Sequence, residues 1–212
     1  MFTTVAGVGL HMDETVVVTG ADAGLGAAIA RAFGEEAATL VLGGRDHDGL
    51  AVVREDVEAA GGTVHSQRAD ARDEFDLERL MEMAARTAGP IDVVIPAQAV
   101  AHDAEGTKSL PIVSYSAFDD VIRATLRGAF STIREATPHL PQDAVILLPL
   151  PAGSEPGEGS RPFSIATAGR RGLLEVAAAD LEQAVVGVEH EAVAGREVDA
   201  ESLEYIADGF VA

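Results

Sequence analysis

The stretch Thr19-Gly20-Ala21-Asp22-Ala23-Gly24-Leu25-Gly26 constrains the fold of this 212-residue chain more than any other. The β-branched run Thr15-Val16-Val17-Val18 precedes it, and Ala27-Ala28-Ile29-Ala30-Arg31-Ala32-Phe33 follows with helical spacing of its apolar residues. A buried strand, a glycine turn and a helix start, in that order, make the first βα unit of a dinucleotide-binding fold. Gly20 permits the tight turn. Gly24 and Gly26 leave the backbone bare enough for a pyrophosphate to approach. The helix that begins there points free N–H groups and its positive dipole end at the phosphates.

The rest of the chain alternates strand and helix patterns. Thr39–Leu42 reads as a second strand, and Leu50 to Ala60 as a helix stopped by Gly61-Gly62. A third strand is expected over Thr63 to Asp70, a helix over Phe75 to Ala88 ended by Gly89-Pro90, and a fourth strand over Ile91 to Ile95. Ser114 to His139 reads as one long helix with Ser116 as N-cap and with Phe118, Val121, Ile122, Leu126 and Phe130 facing inward. Ala144 to Leu148 is the expected fifth strand, 163–183 the next helix, Val185 to Val188 a sixth strand, and Ala200 to Val211 a last helix. This pattern predicts an α/β fold, a Rossmann-like doubly wound parallel sheet in three layers, as a single domain over 15–212. Residues 1–14 have no such pattern and are expected to be a flexible extension, with Met1 to His11 reading as added or misassigned.

The spacing Thr-Gly-x-x-x-Gly-x-Gly resembles that of the short-chain dehydrogenase/reductase family, and the likeness runs well past the turn. It implies cofactor contacts at Gly20, Asp22, Gly24, Leu25, Gly26, Arg45, Asp70 and Ala97. At the end of the second strand the family carries an acidic residue for the ribose of NAD or a basic one for the 2′-phosphate of NADP. Gly44 takes the acidic position here and Arg45 the basic one, which implies NADP(H) ahead of NAD(H), although Asp22 and Asp46 lie close by and a carboxylate near a phosphate costs affinity. Asp70 resembles the aspartate beside the adenine.

Beyond the cofactor turn the family motifs fail. Asn-Asn-Ala-Gly after the fourth strand becomes Pro96-Ala97-Gln98-Ala99. The four catalytic positions that the resemblance implies are occupied by Thr125, Pro149, Phe163 and Thr167, where the family has asparagine, serine, tyrosine and lysine. Phe163 has no hydroxyl to donate or accept a proton, and Thr167 no charge to lower a neighbour's pKa. The Glu191-Ala192-Val193-Ala194-Gly195 segment resembles the family's Pro-Gly turn without its proline, and the substrate-covering C-terminal region is shortened. The sequence therefore reads as an oxidoreductase-like protein with a retained nucleotide motif, binding, regulatory or subunit-like in role. The alternative is an active NADP-dependent oxidoreductase of carbonyls or alcohols with displaced groups, with His102, Tyr115 and Ser154 as candidates.

Composition bounds the other classes. The chain has no cysteine, which excludes disulfides and thiol catalysis. His102, Asp103 and Glu105 read as a polar loop, and no metal site is expected. Asp and Glu number 35 against 15 Lys and Arg, a net charge of −20, which would repel nucleic acid and suits a protein adapted to high salt. No apolar run reaches membrane-spanning length and no basic leader is visible, so a cytoplasmic protein is expected. The resemblance further implies a homodimer or homotetramer through the helices at 114–139 and 163–183. In the second, Ala166, Ala168, Gly169, Gly172, Leu173 and Ala177 would allow close contact.

Overall fold

The computed structural model describes residues 14–35, 38–98, 111–152 and 161–191. The strands are β1 Thr15–Thr19, β2 Thr39–Gly44, β3 Thr63–Arg68, β4 Val93–Pro96, β5 Val145–Ala152 and β6 Ala184–Glu191. The α-helices are α1 Gly24–Glu35, α2 His47–Ala60, α3 Glu74–Thr87, α4 Tyr115–Val121, α5 Gly128–Ala136 and α6 Arg161–Asp180. The six strands form one sheet in the order β3-β2-β1-β4-β5-β6, every pairing parallel. The order reverses between β1 and β4, which opens a crevice at their carboxyl ends.

Both faces of the sheet are covered, so the middles of its central strands are apolar on both sides. Val16, Val18, Leu40, Leu42 and Ile95 pack against Ile29, Phe33, Leu50, Val53 and Val57 of α1 and α2. Val17, Val41 and Val94 point the other way, onto Leu80, Met81 and Ala84 of α3 and Ala136 of α5. Further along, Leu148 and Leu150 of β5 meet Ala129 of α5 and Leu173 and Leu174 of α6. The period-two alternation of strand side chains assigns each residue its layer. Among the described residues no helix is long and apolar enough to cross a membrane.

The expected long helix is not continuous. It runs as α4, a π-helical segment Ile122–Arg127, α5 and a 3-10 turn Thr137–His139. Its cap is Ser114, whose Oγ accepts from the Ala117 N–H at 3.2 Å, rather than Ser116. The wider turn of the π segment keeps positions four apart in line, so Val121, Thr125, Ala129 and Ile133 form the buried face. Of the five residues expected inward only Val121 is buried. Phe118, Ile122 and Leu126 are partly covered, and Phe130 is 48% exposed. Strand β5 also runs on past Leu148 through Pro149, Leu150 and Pro151. The expected last helix, the turn after Glu191, His102, Ser154 and nearly all of the N-terminal extension lie outside the described residues.

Candidate functional site

The glycine turn sits at the carboxyl end of β1, beside the crevice. Gly20 adopts φ 74°, and a Cβ on it would lie 2.5 Å from the Gln98 Cα, so the approach of β4 demands glycine. A Cβ on Gly26 would lie 2.1 Å from the Gly20 carbonyl oxygen, so α1 can start against the turn only without a side chain there. Gly24, at φ 54°, has nothing within 4 Å of its Cβ position. The space above it is open at the N-terminus of α1, whose first N–H groups have no intrahelical partner. Leu25 turns its side chain into the core and leaves its backbone to face that space. The turn therefore fits a pyrophosphate.

Asp22 lies across the end of β2. Its Oδ2 accepts from the backbone N–H groups of Arg45, at 3.2 Å, and Asp46, at 3.0 Å. Arg45 itself is exposed. Next along the edge, the Asp70 carboxylate is held by Arg72, whose Nε and Nη2 donate at 2.9 Å and 2.6 Å and whose backbone N–H adds a third bond. The Arg72 side chain holds Asp70 below the usual carboxylate range. A surface pocket of about 540 Å³ opens beside this pair, lined also by Phe75, Arg123 and Arg127. Ala97 is buried, its N–H bonded to the Thr19 carbonyl at 3.0 Å, and offers only a methyl group.

The positions matched to the catalytic residues lie around the ends of β4 and β5. Thr125 donates its hydroxyl to the Val121 carbonyl at 2.6 Å, inside its own helix. Pro149 and Thr167 are buried and Phe163 is half-buried. Tyr115 is 96% exposed at the first residue of α4. The missing amide reappears at Gln98, which is turned inward. Its Oε1 accepts from Thr19 at 2.7 Å, its Nε2 reaches Thr132 at 3.4 Å, and Gly128 leaves room for it.

Arg170 is the residue that pattern reading missed. It is 6% exposed, and its Nη2 and Nη1 donate to the carbonyls of Pro96, at 2.7 Å, and Gln98, at 3.4 Å. Its Nε has no partner among the described residues, and burial pushes the guanidinium's pKa down to about 10. The ladder explains the placement. Val145 donates to the Asp92 carbonyl at 2.7 Å, so steps of two bring position 149 to Pro96 and position 151 to Gln98. Both positions are proline and have no N–H to give. Paired strand residues are limited to Val93–Val145 and Val94–Ile146, and the guanidinium supplies the two absent donors beyond them. A charged residue in helical register with Ala166 and Ala177, in a chain with two prolines on a central strand, was the available signal.

A profile of the short chain dehydrogenase family matches residues 14–206. Ketoacyl reductase HetN from Nostoc sp. is 44% identical over 82 residues, which is 39% of this chain and 29% of that relative. A short chain dehydrogenase from Mycobacterium avium superimposes with a TM-score of 0.82 at 26% identity, covering 97% of this chain and 77% of the other. A metagenomic short-chain oxidoreductase in complex with NADP gives 0.81 at 24% identity, covering 94% and 91%. The family match begins at the first strand and runs beyond the last one described, far past the glycine turn: the chain belongs to the short-chain dehydrogenase family.

Proposed function

We propose that this chain binds a nicotinamide dinucleotide and does not carry out ordinary dehydrogenase turnover, acting as a nucleotide-binding, regulatory or subunit-like protein. One observation supports the reading: at the two α6 positions that match the family's tyrosine and lysine by resemblance, this chain carries Phe163 and Thr167, and the buried Arg170 of the same helix is turned onto backbone carbonyls. Gly20, Gly24, Leu25 and Gly26 would hold the pyrophosphate through backbone N–H groups, and Asp70 would lie by the adenine. The NADP in the metagenomic neighbour supports a nucleotide of this class.

A bound dinucleotide would supply a hydride donor or acceptor. Carbonyl reduction also needs a proton, and acid–base catalysis contributes about 10² to 10⁴ in rate. The hydroxyl of Thr125 is committed to Val121, and Phe163 has none to offer. Tyr115 stands exposed at the start of α4, and the chain's single lysine, Lys108, is not spaced to serve it. The test is a titration with NADH and NADPH, then a screen of carbonyl compounds. Saturable binding without oxidation of the bound nucleotide is expected. Turnover at rates ordinary for the family would instead establish the active enzyme with displaced groups.

We also infer a homodimer or homotetramer through the α4–α5 segment and α6. Ala166 and Ala177 are buried within the chain, and a Cβ on Gly169 would strike Leu126 at 2.6 Å, so those three already serve internal packing. The stripe Ile165, Ala168, Gly172 and Val176 is exposed at helical spacing, with Phe130 exposed on α5. Its small residues would let a second copy approach closely.

A further inference from the structure

Two glycines, Gly44 and Gly49, owe their identity to Asp22. A Cβ on Gly44 would lie 2.6 Å from the Asp22 Oδ1 and 2.7 Å from its Cβ, and a Cβ on Gly49 would lie 2.3 Å from the Asp22 carbonyl oxygen. The carboxylate thus occupies the space in which a side chain at position 44 would begin. It is fixed there through Oδ2, which takes the N–H groups of Arg45 and Asp46. Oδ1 accepts no hydrogen bond among the described residues and remains available. In dinucleotide folds an acidic side chain at the end of this strand accepts from the ribose 2′-hydroxyl of NAD. Here that position is glycine, and a carboxylate reaches the same place from the glycine turn.

We propose that Asp22 selects the nucleotide, taking NAD(H) and rejecting NADP(H), a proposal that rests on the nucleotide-binding reading above. A 2′-phosphate would meet a fixed carboxylate and would find the N–H groups of Arg45 and Asp46 already taken by an anion. Two like charges about 4 Å apart near a protein surface weaken binding by about tenfold or more. Arg45 acts in the opposite sense, but it is exposed, and an exposed ion pair is worth about fivefold at most. The fixed carboxylate outweighs the exposed guanidinium.

Calorimetric titration of the wild-type chain and of Asp22→Asn with NADH and NADPH tests this. The asparagine keeps the size of the side chain and one acceptor oxygen but removes the charge. Wild type is expected to bind NADH about tenfold or more tighter than NADPH, and Asp22→Asn to lose about tenfold of that ratio by gaining NADPH affinity. Raising the salt to about 1 M, where the screening length falls to about 3 Å, should narrow the wild-type gap. Equal or tighter binding of NADPH by wild type overturns the proposal, as does an unchanged ratio in the variant. If Asp22→Asn does not fold, wild-type affinities for ADP-ribose and its 2′-phosphorylated form decide, with tighter binding of the phosphorylated form overturning the proposal. Binding of neither dinucleotide would overturn the nucleotide-binding reading itself, and the role of Asp22 with it.

Discussion

Among the described residues Arg170 is a buried cation with no carboxylate partner, so its position needs an account in free energy. Burial pushes its pKa down to about 10, which corresponds to about 3 kcal/mol against the charged form. Against that stand two carbonyls that would otherwise lack donors, at about 1 to 3 kcal/mol each. The terms nearly cancel, and Arg170→Leu in the native background should cost only about 1 to 2 kcal/mol in urea unfolding. With Pro149 and Pro151 both changed to Ala, the backbone donors return and the same substitution should become neutral or stabilising. The difference between the two backgrounds should be about 2 kcal/mol, and strict additivity would contradict the donor-replacement account. The guanidinium's penalty is present at all pH values below about 10 and is relieved above it, because the unfolded chain then holds more protons.

Asp70 has the opposite sign. Its carboxyl is held below the ordinary 3.8 by Arg72, so its contribution is complete above that value and is lost as pH falls through the lowered native one. Melting temperatures of wild type and Asp70→Asn should therefore differ at neutral pH and converge in acid. A gap that persists unchanged into acid would mean that the Arg72 pairing is not its source. At Gly26 the expectation is steric. A methyl group 2.1 Å from a carbonyl oxygen should cost Gly26→Ala about 3 kcal/mol or more and unseat the turn, as chemical denaturation would read out.

At the scale of elements, strand and helix order was legible because each βα unit carries its own local signals. Apolar runs gave β1, β2 and β4, and the glycines after α2 ended it where expected: Gly61 takes φ 104°, and its N–H caps the helix. The phase of the α4–α5 segment was not legible, since an ideal helical period cannot anticipate a π turn at Thr125. The end of β5 was missed because prolines normally close a strand. Here the missing N–H groups face β4, while the edge toward β6 keeps its partners from Val145 to Ala152. The glycine turn was read from its spacing. The Asp22 carboxylate's place over Gly44 is a three-dimensional fact, and its neighbours in sequence say nothing of it. The inward turn of Gln98 is of the same kind, since its partners Thr19 and Thr132 are distant in the chain.

For the whole molecule, a net charge of −20 sets the conditions under which it should be studied. Repulsion among surface carboxylates weakens as salt screens them. We propose adaptation to high salt, for which the melting temperature should rise from low to molar potassium chloride; a flat or falling trend would contradict it. Association through α6 predicts that Val176→Arg, placing a charge in the exposed stripe, yields a smaller species than wild type by light scattering, with the fold retained by circular dichroism. An unchanged mass would exclude that face. The central claim, a nucleotide held without turnover, is tested most directly by nicotinamide fluorescence. The folded protein would be titrated with reduced dinucleotide in molar salt, and the signal followed after carbonyl compounds are added. A saturable rise that then holds steady is the predicted result. A signal that never saturates, or one that decays as a carbonyl is reduced, would contradict the claim.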